Sequence, residues 1–407
     1  MMWESKTLGE ISLSIQTGPF GSQLHQSDYS DEGTPVVMPK DLMNGTISEE
    51  SIARVSKEHV ERLEKHKIQE GDILYSRRGD VGRCAYTSKR EIGWLCGTGC
   101  LKVRIDIEKA EPKFVFYQLQ KAETIGWVVN HAVGSTMLNL NTSILSAVPV
   151  DIPEIRIQRK IVNILSTYDE LIENNQKQIK LLEEAAQRLY KEWFVDLRFP
   201  GHEYLAIVDG VPEGWEKDKA EKFFNITIGK TPPRAEKQWF VNGNDGVPWL
   251  SISDMGTSGV YSFTTSEGLT QEAVKKHNMK VVPAGTIFVS FKLTVGRVSI
   301  ATTDMCTNEA IAHFYIDDDF KQVYTYCYLN NFEYDTLGNT SSISKAVNSK
   351  IIKAMPFVIP DEATILAFDK LVAPILEEIK NKQMVCIKLK EARDRLLPKL
   401  MSGELEV

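Results

Sequence analysis

Residues 154–198 read EIRIQRKIVNILSTYDELIENNQKQIKLLEEAAQRLYKEWFVDLR. No Gly or Pro interrupts them. Pro153 stands just before and Pro200-Gly201 just after, the start and stop of one long helix. Apolar residues return every three and four positions at Ile161, Ile164, Tyr168, Leu171, Leu182, Ala185 and Leu189, and the seam continues through Asn175 and Gln178. Such a spacing marks the a and d positions of a coiled coil. At 1.5 Å per residue, a helix of about 40 residues would be roughly 60 Å long. One small domain cannot bury such a rod, so it is a coiled-coil arm or a spacer between globular units.

The chain around it is a repeat. Gly71-Asp72-Ile73-Leu74-Tyr75-Ser76 returns as Gly285-Thr286-Ile287-Phe288-Val289-Ser290, and Val81-Gly82-Arg83 as Val295-Gly296-Arg297. Asn141 and Val148-Pro149-Val150-Asp151-Ile152-Pro153 return 207 positions later as Asn348 and Met355-Pro356-Phe357-Val358-Ile359-Pro360. Trp3 answers Trp215, and Thr34-Pro35-Val36-Val37 answers Val247-Pro248-Trp249-Leu250. The same offset carries the helix seam onto Phe368, Leu371, Ile375, Val385, Leu389, Ala392 and Leu396. A distal helix is therefore predicted over 362–397, ending at Pro398, with a kink or late start at Pro374. The order is globule, long helix, globule, long helix: 1–153, 154–198, 199–360 and 361–407. Two matching seams predict antiparallel pairing about a pseudo-twofold axis, with Asn175 and Gln178 fixing register.

Between the helices, Ile73–Ser76, 101–107, 281–282, 287–291 and 312–316 read as strands, and 114–121 and 324–331 as short helices. Loops are rich in Gly and Asn, as at Gly18-Pro19-Phe20-Gly21-Ser22 and Asn44-Gly45. The fold class is α+β: two α/β globules joined by two long antiparallel coiled-coil helices.

A length of 407 residues suits two or three domains, and 42% apolar residues suffice for real cores. No apolar run is long enough to span a membrane, and MMWESKTLGE lacks an apolar leader core, so a cytoplasmic location is expected. Six scattered cysteines form no CxxC pair, so reduced thiols and no structural zinc are expected. The net charge is −7, and no segment is basic: 17 basic against 20 acidic groups in 1–153, and 15 against 18 in 199–360. Strong autonomous nucleic-acid binding usually needs a basic footprint. The balance permits DNA binding only where cations cluster locally or partners supply phosphate contacts.

No catalytic constellation stands out. Gly229-Lys230-Thr231 lacks the upstream glycine of a phosphate loop, and Pro232-Pro233 would break the helix that must follow. Asp361 followed by Glu378-Ile379-Lys380 is no nuclease cluster, since the last three lie on the long helix, where a charge run is a solvated face. The seven histidines show no metal spacing. The remaining polar signals suit DNA. Arg77, Arg78 and Arg83 crowd one loop after a strand, opposite Lys292 and Arg297 in the second copy. A guanidinium grips guanine or phosphate through two bonds, though a solvated hairpin would look the same. Arg83 and Arg297 are shared, which fits a structural role equally well. Lys40, Ser251 and Ser253 occupy matching places, and Gln16, Ser22, Gln23, Lys230, Arg234 and Lys345 are further loop candidates.

The stretches IRIQRKIVNIL at 155–165, LYKEWF at 189–194 and the closing LLPKLMSGELEV, with GDILYSRRGDVGRCA at 71–85, resemble the specificity (S) subunit of type I restriction–modification systems. The resemblance spans essentially the whole chain. It departs at Ala363-Thr364-Ile365-Leu366, where Gln158-Arg159 would be expected, and at Pro374. It implies a non-catalytic subunit in which two target recognition domains each read half of a split double-stranded DNA site. The helices would set the spacing. Two methyltransferase (M) subunits would dock, bind S-adenosylmethionine and flip adenine. Restriction (R) subunits would add ATP- and Mg-dependent translocation and cleavage, with no cofactor held by this chain. A fused restriction–methylation enzyme and a plain coiled-coil scaffold are the alternatives.

Overall fold

A computed structural model describes residues 3–134, 137–208, 210–243, 245–337 and 347–407, and of Asp319 only the backbone. The chain forms two compact units, residues 1–170 with 389–407, and residues 171–388. Both long helices are thus shared between units. Among the described residues no helix is long and apolar enough to cross a membrane.

Each unit has the same strand plan. In unit 1 an antiparallel sheet runs in the order Ser12–Thr17, Cys100–Ile105, Ile73–Ser76, Cys84–Tyr86. In unit 2 the order is Ile226–Ile228, Ile311–Phe314, Ile287–Ser290, Val298–Ala301, with Tyr261–Ser262 added in parallel at the edge. A second sheet holds Leu95–Cys96, Thr34–Val37, Ala53–Val55 and Tyr29–Ser30; its counterpart holds Cys306–Thr307, Val247–Leu250, Glu267–Leu269 and Phe240–Asn242. In both, the first pair is parallel. A third pairing joins Glu4–Thr7 to Pro149–Ile152, and Glu216–Lys219 to Pro356–Ile359.

The repeated apolar runs explain themselves here. Ile73 and Tyr75 enter one core and Leu74 the core on the opposite face; Ile287 and Val289 part from Phe288 in the same way. A strand covered on both faces reads as a continuous apolar run rather than an alternation. Burying one such side chain stabilises by about 1.5–3 kcal/mol, so a charge at Leu74 would break the layer. The expected strand at 281–282 is only a bridge from Val282 to Met305. Pro283 follows it, lacks an N–H donor and restricts the residue before it.

The repeated asparagines are caps. Asn141 accepts from the Ile144 N–H at 2.8 Å ahead of Thr142–Ser146, and Asn348 accepts from Lys350 and Ile351 ahead of Ser349–Lys353.

The central helix covers Ile155–Tyr190 and passes into a π-turn over Lys191–Val195. It therefore ends short of 198, and Leu197, at φ 55°, turns the chain away. Gln158 stitches its start: Nε2 donates to the Pro153 carbonyl and Oε1 accepts from Glu111 N–H. In the distal copy Ile365, also buried, replaces this glutamine. Asp361 caps that helix instead, accepting from Thr364 N–H at 3.0 Å. The distal helix covers Glu362–Ser402. It neither starts late at Pro374 nor stops at Pro398. A proline inside a helix costs about 3 kcal/mol. Beyond Pro398, Leu400 and Met401 are fully buried in the unit 1 core, and their burial offsets that cost.

In unit 2 the helices run antiparallel. Cys386 Sγ lies 3.8 Å from the Ile172 carbonyl, while Phe368 packs on Trp193 and Phe194 at ring separations of 5.6 and 4.9 Å. In unit 1 Arg393 donates to Asp169 at 2.8 Å, and Tyr117 donates to the other Asp169 oxygen at 2.5 Å. Burial, with the Asp169 charge added, raises the Tyr117 phenol far above its usual range, so it stays a donor. The seam corrects the sequence reading by one position. Ile161 and Phe368 are buried in the unit cores, and Leu182, Leu189, Ile375, Ile164 and Leu396 are partly buried against them. Tyr168 and Leu389 are partly buried. Leu171 and Leu371, however, are 44% and 50% exposed. The second line runs through Leu165, Ile172, Ile179 and Ala186, and through Val372, Ile379, Cys386 and Arg393. Both lines keep the 207-residue offset. Asn175 donates to the Leu171 carbonyl of its own helix.

Candidate nucleic-acid interface

In unit 1 three loops converge at one end of the central sheet. Gly18 N–H donates to the Cys100 carbonyl, Arg77 N–H to the Gly99 carbonyl, and Leu140 N–H to the Arg77 carbonyl. Gly79 N–H donates to the Leu138 carbonyl, and Arg78 and Asn139 form a bridge. At Gly18 a Cβ would collide with the Gly97 carbonyl; Gly229 meets the Asn308 carbonyl in the same way. Only glycine lets these loops pass so close. In unit 2, Gly229 N–H donates to the Ile311 carbonyl and Phe291 N–H to the Ala310 carbonyl. The convergence is therefore repeated.

Most of the candidate side chains there are held by the protein itself. Gln16 donates to the Lys65 carbonyl at 2.7 Å, and Gln23 accepts from Phe20 N–H. Lys40 reaches the Ser51 carbonyl at 2.6 Å, and Lys230 the His277 carbonyl at 2.6 Å. Arg83 makes two bonds to Asp80, at 2.9 and 3.1 Å. Arg234 grips Glu267 at 2.7 and 2.8 Å and lies over Phe240 and Trp249. Arg297 donates to the Ile252 carbonyl at 2.5 Å and passes so close to Gly256 that a Cβ there would press on the guanidinium. Ser251 caps the helix Ile252–Ser258 with Asp254, as Asp41 ties Met38 in the first copy. The shared residues thus hold the loops.

Further cations lie beneath, Lys102 buried and Arg104 half-buried. Lys102 donates to the Lys65 and Lys67 carbonyls, and burial holds its amine below the usual lysine range. Arg104 makes two 2.7 Å bonds to the buried Asp72.

Ser22, Arg78, Ser253 and Lys292 are left at the surface. Arg77 lies over Phe20, its Cζ 5.0 Å from the ring centre. Lys345 falls outside the described residues. The sequence reading passed over Phe20, Asn139 and Leu293. Phe20 is 49% exposed between Pro19 and Gly21, and Leu293 is 95% exposed at φ 62°. A large apolar residue in a glycine loop was the available signal for the first. Asn139 Oδ1 and Arg77 Nε are buried without a hydrogen-bond partner among the described residues.

Comparison with known proteins places these loops in context. The family model for the type I restriction modification DNA specificity domain matches residues 2–184 and 212–391. The chain is 24% identical to the type I restriction enzyme HindI specificity subunit of Haemophilus influenzae, over 99% of both chains. It is 26% identical to the MjaIX specificity subunit of Methanocaldococcus jannaschii, over 93% of this chain and 88% of that one. A crystal structure of the type I S subunit from M. genitalium shares the fold, with a TM-score of 0.58 and 17% identity over 98% of this chain and 96% of that one. Two copies of one domain, each closed by a long helix, match the two stretches that the model covers: the chain belongs to the type I restriction–modification DNA specificity family.

Proposed function

We propose that this chain is the non-catalytic reading subunit of a type I complex and that each unit reads one half of a split duplex target. The observation that carries this is one strand plan built twice with unlike exposed loops. The frames match down to the capping asparagines. The residues after the matching strands differ: the half-buried Arg77 stands against the buried Phe291, and the exposed Arg78 against the exposed Lys292. Like frames with unlike tips suit two different half-sites, as paired domains on DNA mirror their bipartite operators. The paired helices set the distance between the halves.

Among the described residues most of the candidate loop cations are tied to the protein itself, so phosphate contacts come mainly from partners. Two methyltransferase subunits dock on this chain, hold S-adenosylmethionine and carry the methyl transfer. Restriction subunits, with ATP and Mg, supply cleavage. The relatives are themselves named as subunits of restriction enzymes.

The test exchanges residues 1–153 for the equivalent segment of a relative, in complex with the cognate methyltransferase. Methylated sites should change in one half and keep the other. Unaltered sites after the exchange would refute the reading.

A further inference from the structure

Arg77 stands apart from the other cations of its loop. Its backbone is fixed at both ends, by the Gly99 carbonyl and the Leu140 N–H, each at 2.8 Å. It forms no ion pair among the described residues; Asp80, three positions on, is taken by Arg83. Among the described residues its Nε is buried with no acceptor, and the adjoining segment offers a second buried atom without a partner, Asn139 Oδ1. A buried polar atom without a partner is a cost that a ligand can remove. The guanidinium lies over Phe20, and that ring is half exposed. The Phe20 loop is itself tied, Gln23 N–H donating to the Phe20 carbonyl at 2.6 Å. A flat cation laid over an aromatic ring presents its fork in a set plane, and that fork matches the O6/N7 edge of guanine.

We propose that Arg77 reads a guanine in the half-site of unit 1 through its O6 and N7 atoms, with Phe20 as the plate that orients it. This rests on the reading of unit 1 as a DNA half-site reader. Arginine bonded twice to guanine is the commonest specific contact in the major groove. The matching position of the second unit holds no arginine. Its counterpart of Arg77 is Phe291, fully buried in the core, and Lys292 follows it at the surface. The two half-sites therefore differ at this position.

The test uses the full chain with its cognate methyltransferase and maps methylated sites for wild type, Arg77→Lys, Arg77→Ala and Phe20→Ala. Arg77→Lys keeps the charge and loses the fork. Both Arg77 variants should still co-purify with the methyltransferase. One position of one half-site should cease to be fixed as guanine, with discrimination down about tenfold to hundredfold. The other half-site and the spacing should stay. Phe20→Ala should relax the same position less. If Arg77→Lys keeps every position of the motif, Arg77 touches phosphate or nothing, and the proposal is wrong. If Arg77→Ala fails to assemble, Arg77→Lys decides alone. A wild-type complex without a split motif would instead overturn the half-site reading, and this proposal with it.

Discussion

The seam register gives a sharp mutational test. Ile172 is 6% exposed and its neighbour Leu171 is 44% exposed, although both suit a heptad. Ile172→Ala removes three buried carbons next to Cys386 and leaves a gap in the helix pair. Such truncations cost about 2–5 kcal/mol, and the lower half of that range suits a two-helix contact that can partly close. With a urea slope of about 1–3 kcal/mol per molar, the midpoint should fall by roughly 1 M. Leu171→Ala loses little burial and gains slightly in helix propensity, so it should stay within about 0.5 kcal/mol of wild type. The same contrast should hold between Val372→Ala and Leu371→Ala, since Val372 is fully buried and Leu371 is 50% exposed. The assay is urea unfolding followed by far-UV circular dichroism. Leu171→Ala lowering the midpoint as much as Ile172→Ala would put the seam on the other flank and refute the packing described.

Pro374 is exposed inside the distal helix, so Pro374→Ala should restore a helical hydrogen bond and raise the melting temperature, by about 1–3 kcal/mol in stability; a lowered melting temperature would contradict this. His313 is fully buried between the hydroxyls of Thr227 and Thr307, and burial, aided by Lys280, pushes its pKa from 6.5 down to about 3. The unfolded chain therefore binds more protons here, and stability is lost as pH falls from about 6.5 toward 3, at up to about 1.4 kcal/mol per pH unit. His313→Gln should show a shallower loss over that range in pH-dependent urea unfolding; an unchanged slope would count against it. Deleting one heptad within 170–190 should alter the spacer of the methylated site or abolish assembly, while the bases of each half stay; altered bases with an unaltered spacer would rule out a measuring role for the helices.

The long helices, the repeat and the buried strands were legible because each rests on a period or a run that packing enforces over many residues. The register failed by one position because Leu171 and Ile172 satisfy i+3 and i+4 spacing equally. Only the partner helix decides between them. Pro398 misled because local propensity favours a stop there, whereas Leu400 and Met401 win by burial in a core built from the distant residues Leu8 to Leu165. At the loops, residue type alone could not tell a reaching cation from a brace. Arg83 and Arg297 look alike in sequence and are both spent, one on Asp80 and one on the Ile252 carbonyl. Their sharing between copies was the clue to a structural role. Arg77, different between copies, makes no ion pair among the described residues and lies over the half-exposed Phe20 ring.

The central claim is that one chain with two unlike readers specifies one split site. The direct measurement is methylation mapping of DNA from cells that express this chain with its cognate methyltransferase. Two short, different half-sites separated by a spacer of fixed length are expected. A single continuous motif, or halves at variable separation, would contradict it.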